Sequence, residues 1–173
     1  MTRAERWAMA GLLLTGTVAA QSIEQLKLDH LAARAKESTV LTLDASTLES
    51  AARQMQGDEA KAKALIANVK GIAIRSYEFE RTGEYSAADV EQMRRLFQGP
   101  DWKRVVGISS KADGESFEVF SRTVGGKTAG MAMLSTEAKE LTLVYMDGAV
   151  DLGQLKELGL RLGQSGAEQK GKK

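Results

Sequence analysis

The segment Gly71–Ser86, GIAIRSYEFERTGEYS, restricts the fold more than any other stretch of the chain. It is rich in β-branched and aromatic residues, which suit a pleated, half-buried surface. Its alternation changes phase: Ile72 and Ile74 fall on one side of a strand, Tyr77 and Phe79 on the other. Two arrangements satisfy that pattern, a bulge near Arg75–Ser76 that resets the register or a strand covered on both faces. Gly71 reads as the stop of a preceding helix, Thr82-Gly83 as a turn and Ser86 as the start of the next helix. The segment specifies a scaffold and names no chemistry.

Upstream, Ser22 with Gln25 forms a capping box for a helix to about Glu37, with Leu28, Leu31, Ala32 and Ala35 at helical spacing. Thr39–Leu43 reads as a short strand with Leu41 and Leu43 on one face. Ser46 with Glu49 is a second capping box, opening a helix that turns Leu48, Ala51, Ala52 and Met55 inward. Asp58 caps a third, whose stripe is Ala62, Leu65, Ile66 and Val69. Downstream, Ser86–Gln98 is amphipathic through Val90, Met93, Leu96 and Phe97, and Gly99-Pro100 ends it.

Four strand-like runs follow. Trp102–Ser109 sets Trp102, Val106 and Ile108 on one face, with Arg104 snorkelling or paired there. Asp113-Gly114 and Gly125-Gly126 are hairpin turns leading into Ser116–Thr123 and Thr128–Leu134, and a looser link, Ser135–Lys139, leads to Glu140–Met146. Asp151 with Gln154 starts a last helix with Leu152, Leu155, Leu158 and Leu162 along one side. The sum is an α+β two-layer sandwich: a mostly antiparallel mixed sheet, a four-strand meander in its C-terminal half, and helices on one face. Parallel pairing is expected between 71–79 and 102–109, where a helix intervenes.

The termini set the compartment. Arg3 and Arg6 precede the mostly apolar Trp7–Val18, and Val18-Ala19-Ala20 offers a cleavage site, so residues 1–20 read as a signal peptide cut after Ala20. A retained short anchor is the alternative, but the apolar run falls short of the ~20 residues that span a bilayer. Residues 21–163 form a single α+β domain, exported to the periplasm or beyond, and QSGAEQKGKK, 164–173, is a disordered polar tail. Cleavage removes Arg3, Arg6 and Glu5, which leaves 22 basic against 22 acidic residues. A neutral chain lacks the field that draws nucleic acid or anionic lipid, and no stable membrane span remains. The chain has no cysteine, which excludes thiol catalysis, thiolate metal sites and a lipid-modified cysteine.

Motifs for catalysis, cofactors and metals are missing: there is no G-x-S-x-G, no phosphate loop and no dinucleotide fingerprint. The only histidine, His30, reads as a partly exposed helix residue. Arg75, Glu78 and Glu80 make the one candidate polar site, since paired carboxylates can do acid–base work or hold calcium. Ion pairs with Arg75 and Arg81 are the simpler account. Asp44, Asp147 and Asp151 fall where strands turn into helices and read as caps, and Met131, Met133 and Met146 as core filling.

The runs IRSYEFERTGEYSAADV, WKRVVGISSKADGESFEV and KELTLVYMDGAVDLGQL, preceded by TLDASTL, together resemble an exported bacterial family known only as domain of unknown function 4252. The resemblance covers about Leu28 to Leu158. Two prolines of the family pattern are replaced, at Glu137-Ala138 and Gly148-Ala149, which marks a divergent member. The likeness implies a signal peptide, a single α+β domain and no established activity. It also implies structural roles for Tyr77, Phe79, Tyr85, Trp102, Glu140, Leu141, Gly148 and Asp151. Proximity of family genes to sigma and anti-sigma factors suggests envelope signalling. The leading expectation is a non-enzymatic binding or regulatory module with an envelope protein as partner and no cofactor. The alternatives are a periplasmic hydrolase using the paired carboxylates and a structural or adhesive protein acting through exposed sheet edges.

Overall fold

The computed structural model describes residues 28–54, 63, 67–150 and 153. The expected signal peptide, the capping boxes at Ser22 and Asp151, the start of the helix at Asp58 and the polar tail lie outside the described residues. Within them are six strands, β1 (Glu37–Asp44), β2 (Val69–Glu78), β3 (Trp102–Ser110), β4 (Glu115–Val124), β5 (Lys127–Glu137) and β6 (Glu140–Gly148). Three helical segments accompany them: α1 (Asp29–Ala32), α2 (Ala45–Gln54) and α3 (Ala87–Arg95).

All six strands form one sheet in the order β1-β2-β6-β5-β4-β3, and every pairing is antiparallel. The fold is therefore α+β with an antiparallel sheet. The expected parallel pair is corrected: β2 and β3 do run in the same sense, but β6, β5 and β4 lie between them. The α3 connection carries the chain across the sheet to its far edge, and the three later strands return one by one to fill the gap.

The phase change in the central strand has its explanation here. Register against β1 and β6 is continuous from Gly71 to Glu78, so no bulge occurs at Arg75–Ser76. The strand is instead covered on both faces. Ala73 and Tyr77 join one core with Leu31 of α1, Met93 and Phe97 at α3, Phe120, Leu134, Leu141, Leu143 and Tyr145. Ile72 packs on the other, with Leu48 of α2, Val119, Met131 and Met146. The described helices thus divide between the faces rather than sharing one.

Alternation fails at bulges. Register shifts single out Lys70 in β2, Val105 in β3 and Ala129 in β5 as extra residues. The shift at Val105 corrects the expected face of β3: Trp102 and Arg104 lie opposite Arg122 and Phe120, whereas Val106 and Ile108 are turned to the other side. Boundaries move too. β2 begins at Val69, so Gly71 lies inside a strand rather than ending a helix. The chain turns after Ala32 and is in β1 from Glu37, earlier than the expected helix end. Asp44, not Ser46, caps α2, its Oδ1 accepting the Thr47 N–H at 2.8 Å and the Ser46 hydroxyl at 2.9 Å. β5 extends to Glu137, leaving only Ala138-Lys139 to turn into β6. Ser86 caps α3 in a full capping box with Asp89.

Candidate functional site

The structure does not bring Arg75, Glu78 and Glu80 together. Arg75 is 8% exposed and acts as a clamp on the sheet edge. Its Nη1 donates to the carbonyls of Leu41 and Ile74, each at 2.8 Å, and its Nη2 to the Thr42 hydroxyl at 3.2 Å. Strand alternation puts Glu78 on the opposite face, where it pairs at 3.6 Å with Lys36 and stays half exposed. Glu80 lies past the end of β2 and is exposed, and Arg81 pairs instead with Glu84.

A second charged cluster carries more geometry. Arg122 of β4 and Asp147 of β6 meet at 2.7 Å, although β5 runs between their strands. Gly130 of β5 pairs with both and supplies the gap over which the guanidinium lies. Arg122 Nη2 also donates to the Ala129 carbonyl at 2.9 Å, while its Nε is buried without an acceptor among the described residues. The guanidinium carbon sits 6.0 Å from the centre of the Trp102 ring. The Tyr145 hydroxyl donates to Asp147 Oδ1 at 3.2 Å. Burial raises the Tyr145 pKa well above the ordinary phenol value, and Asp147 pushes it the same way, so this hydroxyl stays a donor. Asp147 is therefore an ion-pair partner within β6, and the helix it was expected to cap lies outside the described residues.

Arg122, Ala129 and Asp147 of this cluster wall an open cleft of about 470 Å3 at one end of the sheet, lined also by Asn68, Lys70, Thr128, Gly148 and Ala149. Two of the three bulges border it. Lys70 is the extra residue of β2, so its side chain escapes the alternation of its strand, and Ala129 is the extra residue of β5. Gly148 closes the back: its φ is +128°, and a Cβ there would stand 2.2 Å from the Asn68 carbonyl oxygen.

Other charged groups tie elements together. Glu118, 3% exposed, accepts from Arg94 of α3 at 2.7 Å and from Arg104 of β3 at 2.8 Å. Burial alone would raise its pKa, but the two guanidinium groups outweigh burial and hold the carboxyl below its usual range. His30 reaches Asp89 at 2.7 Å, joining α1 to α3. Among the described residues no group of three or more His, Asp or Glu is placed to hold a metal ion. Of the residues marked by the family resemblance, Tyr77, Phe79 and Leu141 are buried and Trp102 packs edge-on to Phe97 at 4.9 Å. The Tyr85 hydroxyl donates to the Glu137 carbonyl, Glu140 accepts from Thr142, and Asp151 lies outside the described residues.

β1 forms one edge of the sheet, with no strand on its outer side among the described residues. Val40 at its middle is 60% exposed and Leu41 is 37% exposed.

Sequence reasoning passed over Arg122, Lys70 and Gly130. The signal that could have found them is Gly130 itself, since an isolated glycine in a strand pattern marks a bulge or a close approach.

An α+β domain whose described residues form a six-stranded antiparallel sheet, clamped by buried ion pairs and open at a charged cleft, is the class that fold and site define. The chain belongs to the family described as Domain of unknown function (DUF4252), whose profile matches residues 33–158. Comparison with curated proteins found no match.

Proposed function

We propose that the chain is an exported, non-enzymatic binding module of the bacterial envelope that takes an extended segment of another envelope protein along β1. The exposure of Val40 and Leu41 on an eight-residue edge strand carries this reading. An edge strand offers unpaired backbone groups for strand addition, and natural sheets usually blunt such edges with lysine or proline. β1 has neither, and Arg75 fastens it to β2, so its outer side is held in place for pairing.

The charges on β1 select the partner. Antiparallel pairing with a second copy over all eight residues would set Glu37 against Asp44 at both ends, and like charges facing each other repel. The complementary segment is β-branched at its centre and basic at its ends. Sigma-linked signalling would be the setting in which such capture changes an output.

A photo-crosslinking amino acid at position 40 of the full chain, expressed in its own bacterium, tests the reading. Adducts with one envelope protein should form at position 40 and not at position 111 in the distal β3–β4 turn. Equal labelling from both positions, or turnover of a substrate by the purified chain, would sink it.

A further inference from the structure

We propose that the cleft beside Arg122 is a binding site for a small carboxylate, with Lys70 and Arg122 as its cationic contacts. This site is separate from the β1 edge and independent of the protein-binding reading.

Three observations converge on it. The cleft, at about 470 Å3, falls within the roughly 300–1,000 Å3 of small-molecule sites. The backbone departs from regular pairing on two of its sides, at Lys70 and at Ala129. Bulges recur beside functional sites because they re-aim a side chain, and here the re-aimed side chain is a lysine that lines the cleft. Finally, Arg122 is only partly used. One nitrogen serves both Asp147 and the Ala129 carbonyl, and the side chain keeps 18% of its surface exposed where it lines the cleft.

Charge and lining set the ligand class. Lys70 and Arg122 against Asp147 leave a single positive charge, which suits a monoanion, while the Asp147 carboxylate opposes a second negative charge. Phosphate, partly dianionic at neutral pH, fits this balance less well than a carboxylate. Ala67, Ala129, Gly148 and Ala149 line much of the remainder with small groups beside Asn68 and Thr128, leaving room for a compact apolar body behind the carboxylate. Asp147, itself held by the Tyr145 hydroxyl, fixes Arg122 in place, so its charge is pre-organised and little is lost on binding.

The test is a titration of the 15N-labelled full chain with sodium benzoate, beside sodium phosphate and a sodium chloride control at matched ionic strength. Benzoate should shift the amides of Lys70, Ala129 and Ala149 saturably. Lys70→Glu, an exposed change that leaves the buried pair intact, should weaken binding about tenfold or more. Phosphate should bind more weakly than benzoate. The proposal is overturned if benzoate produces no saturable shift at these amides, if Lys70→Glu binds as the parent does, or if phosphate binds the tighter.

Discussion

Arg122 and Asp147 form an ion pair at 2.7 Å across a strand that belongs to neither of them. Gly130 makes this possible. A Cβ at that position would stand 3.3 Å from the Met146 carbonyl, 3.4 Å from Arg122 Nε and 3.5 Å from the Tyr145 hydroxyl. The side chains could give a little; the backbone carbonyl cannot. Gly130→Ala should therefore lower stability by about 1–3 kcal/mol, read as a lower urea midpoint with an unchanged slope. An unaltered midpoint would mean that the strands shift enough to take up the methyl, so that the close approach at Gly130 carries no weight.

Gly148 faces a harder constraint. Its positive φ and the 2.2 Å approach to the Asn68 carbonyl act together, and both partners are backbone. Gly148→Ala should cost about 3 kcal/mol or more. Gly83 provides the comparison, with φ +85° but nothing within 4 Å, so Gly83→Ala carries only the conformational penalty of about 1 kcal/mol. Equal losses at both sites, measured by chemical denaturation, would remove the role given to close approach.

Much of this architecture is legible from local pattern. The opposed faces of Ile72 and Tyr77, the Ser86 cap and the hairpin glycines at 114 and 125–126 each express a rule confined to a few residues. What was not legible depends on single-residue shifts or on distance. A bulge at Val105 reverses which residues of β3 share the face of Trp102, yet TrpLysArgValVal reads locally as unbroken strand. His30 and Asp89 are 59 residues apart, and Arg122 and Asp147 are 25 apart, so neither pair leaves a periodic trace. Strand order is likewise a global property: a helix between β2 and β3 suggests a parallel crossover, but later strands occupy the intervening positions. Arg75, Glu78 and Glu80 looked like one site because they are near in sequence, whereas strand alternation separates Arg75 from Glu78.

The charged contacts differ in weight. Glu118 is buried between Arg94 and Arg104, which are themselves partly exposed. Glu118→Gln preserves its size but leaves two like charges facing each other, and should cost about 2 kcal/mol. The half-exposed pair of Glu78 with Lys36 should contribute less than about 0.5 kcal/mol, so Glu78→Gln is expected to be nearly neutral for stability. Parallel urea melts of the two variants check the contrast. A larger loss at Glu78 would reverse the assignment of structural weight.

Asp89 gives the chain an acid-sensitive tie between α1 and α3. Its Oδ2 accepts the Ser86 N–H and hydroxyl, each at 2.8 Å, and its Oδ1 lies 2.7 Å from His30 Nε2. Burial would raise its pKa, but the Ser86 contacts and then His30 outweigh burial and hold the carboxyl below its ordinary value. A lowered folded-state pKa means that the unfolded chain takes up the proton more readily. The stabilisation is therefore complete above the unfolded carboxyl pKa, near 3.9, and is lost as pH falls through the folded value. Asp89→Asn retains a capping side chain without the charge, and should be less stable by about 1 kcal/mol at pH 7. The difference from the parent should be similar at pH 5 and shrink below about pH 4. Glu118 titrates in the same acid range, but it is present in both proteins and cancels from the difference. A gap between the two urea midpoints that stays constant down to pH 3 would show that the Asp89 charge contributes nothing, leaving only the shape of the cap.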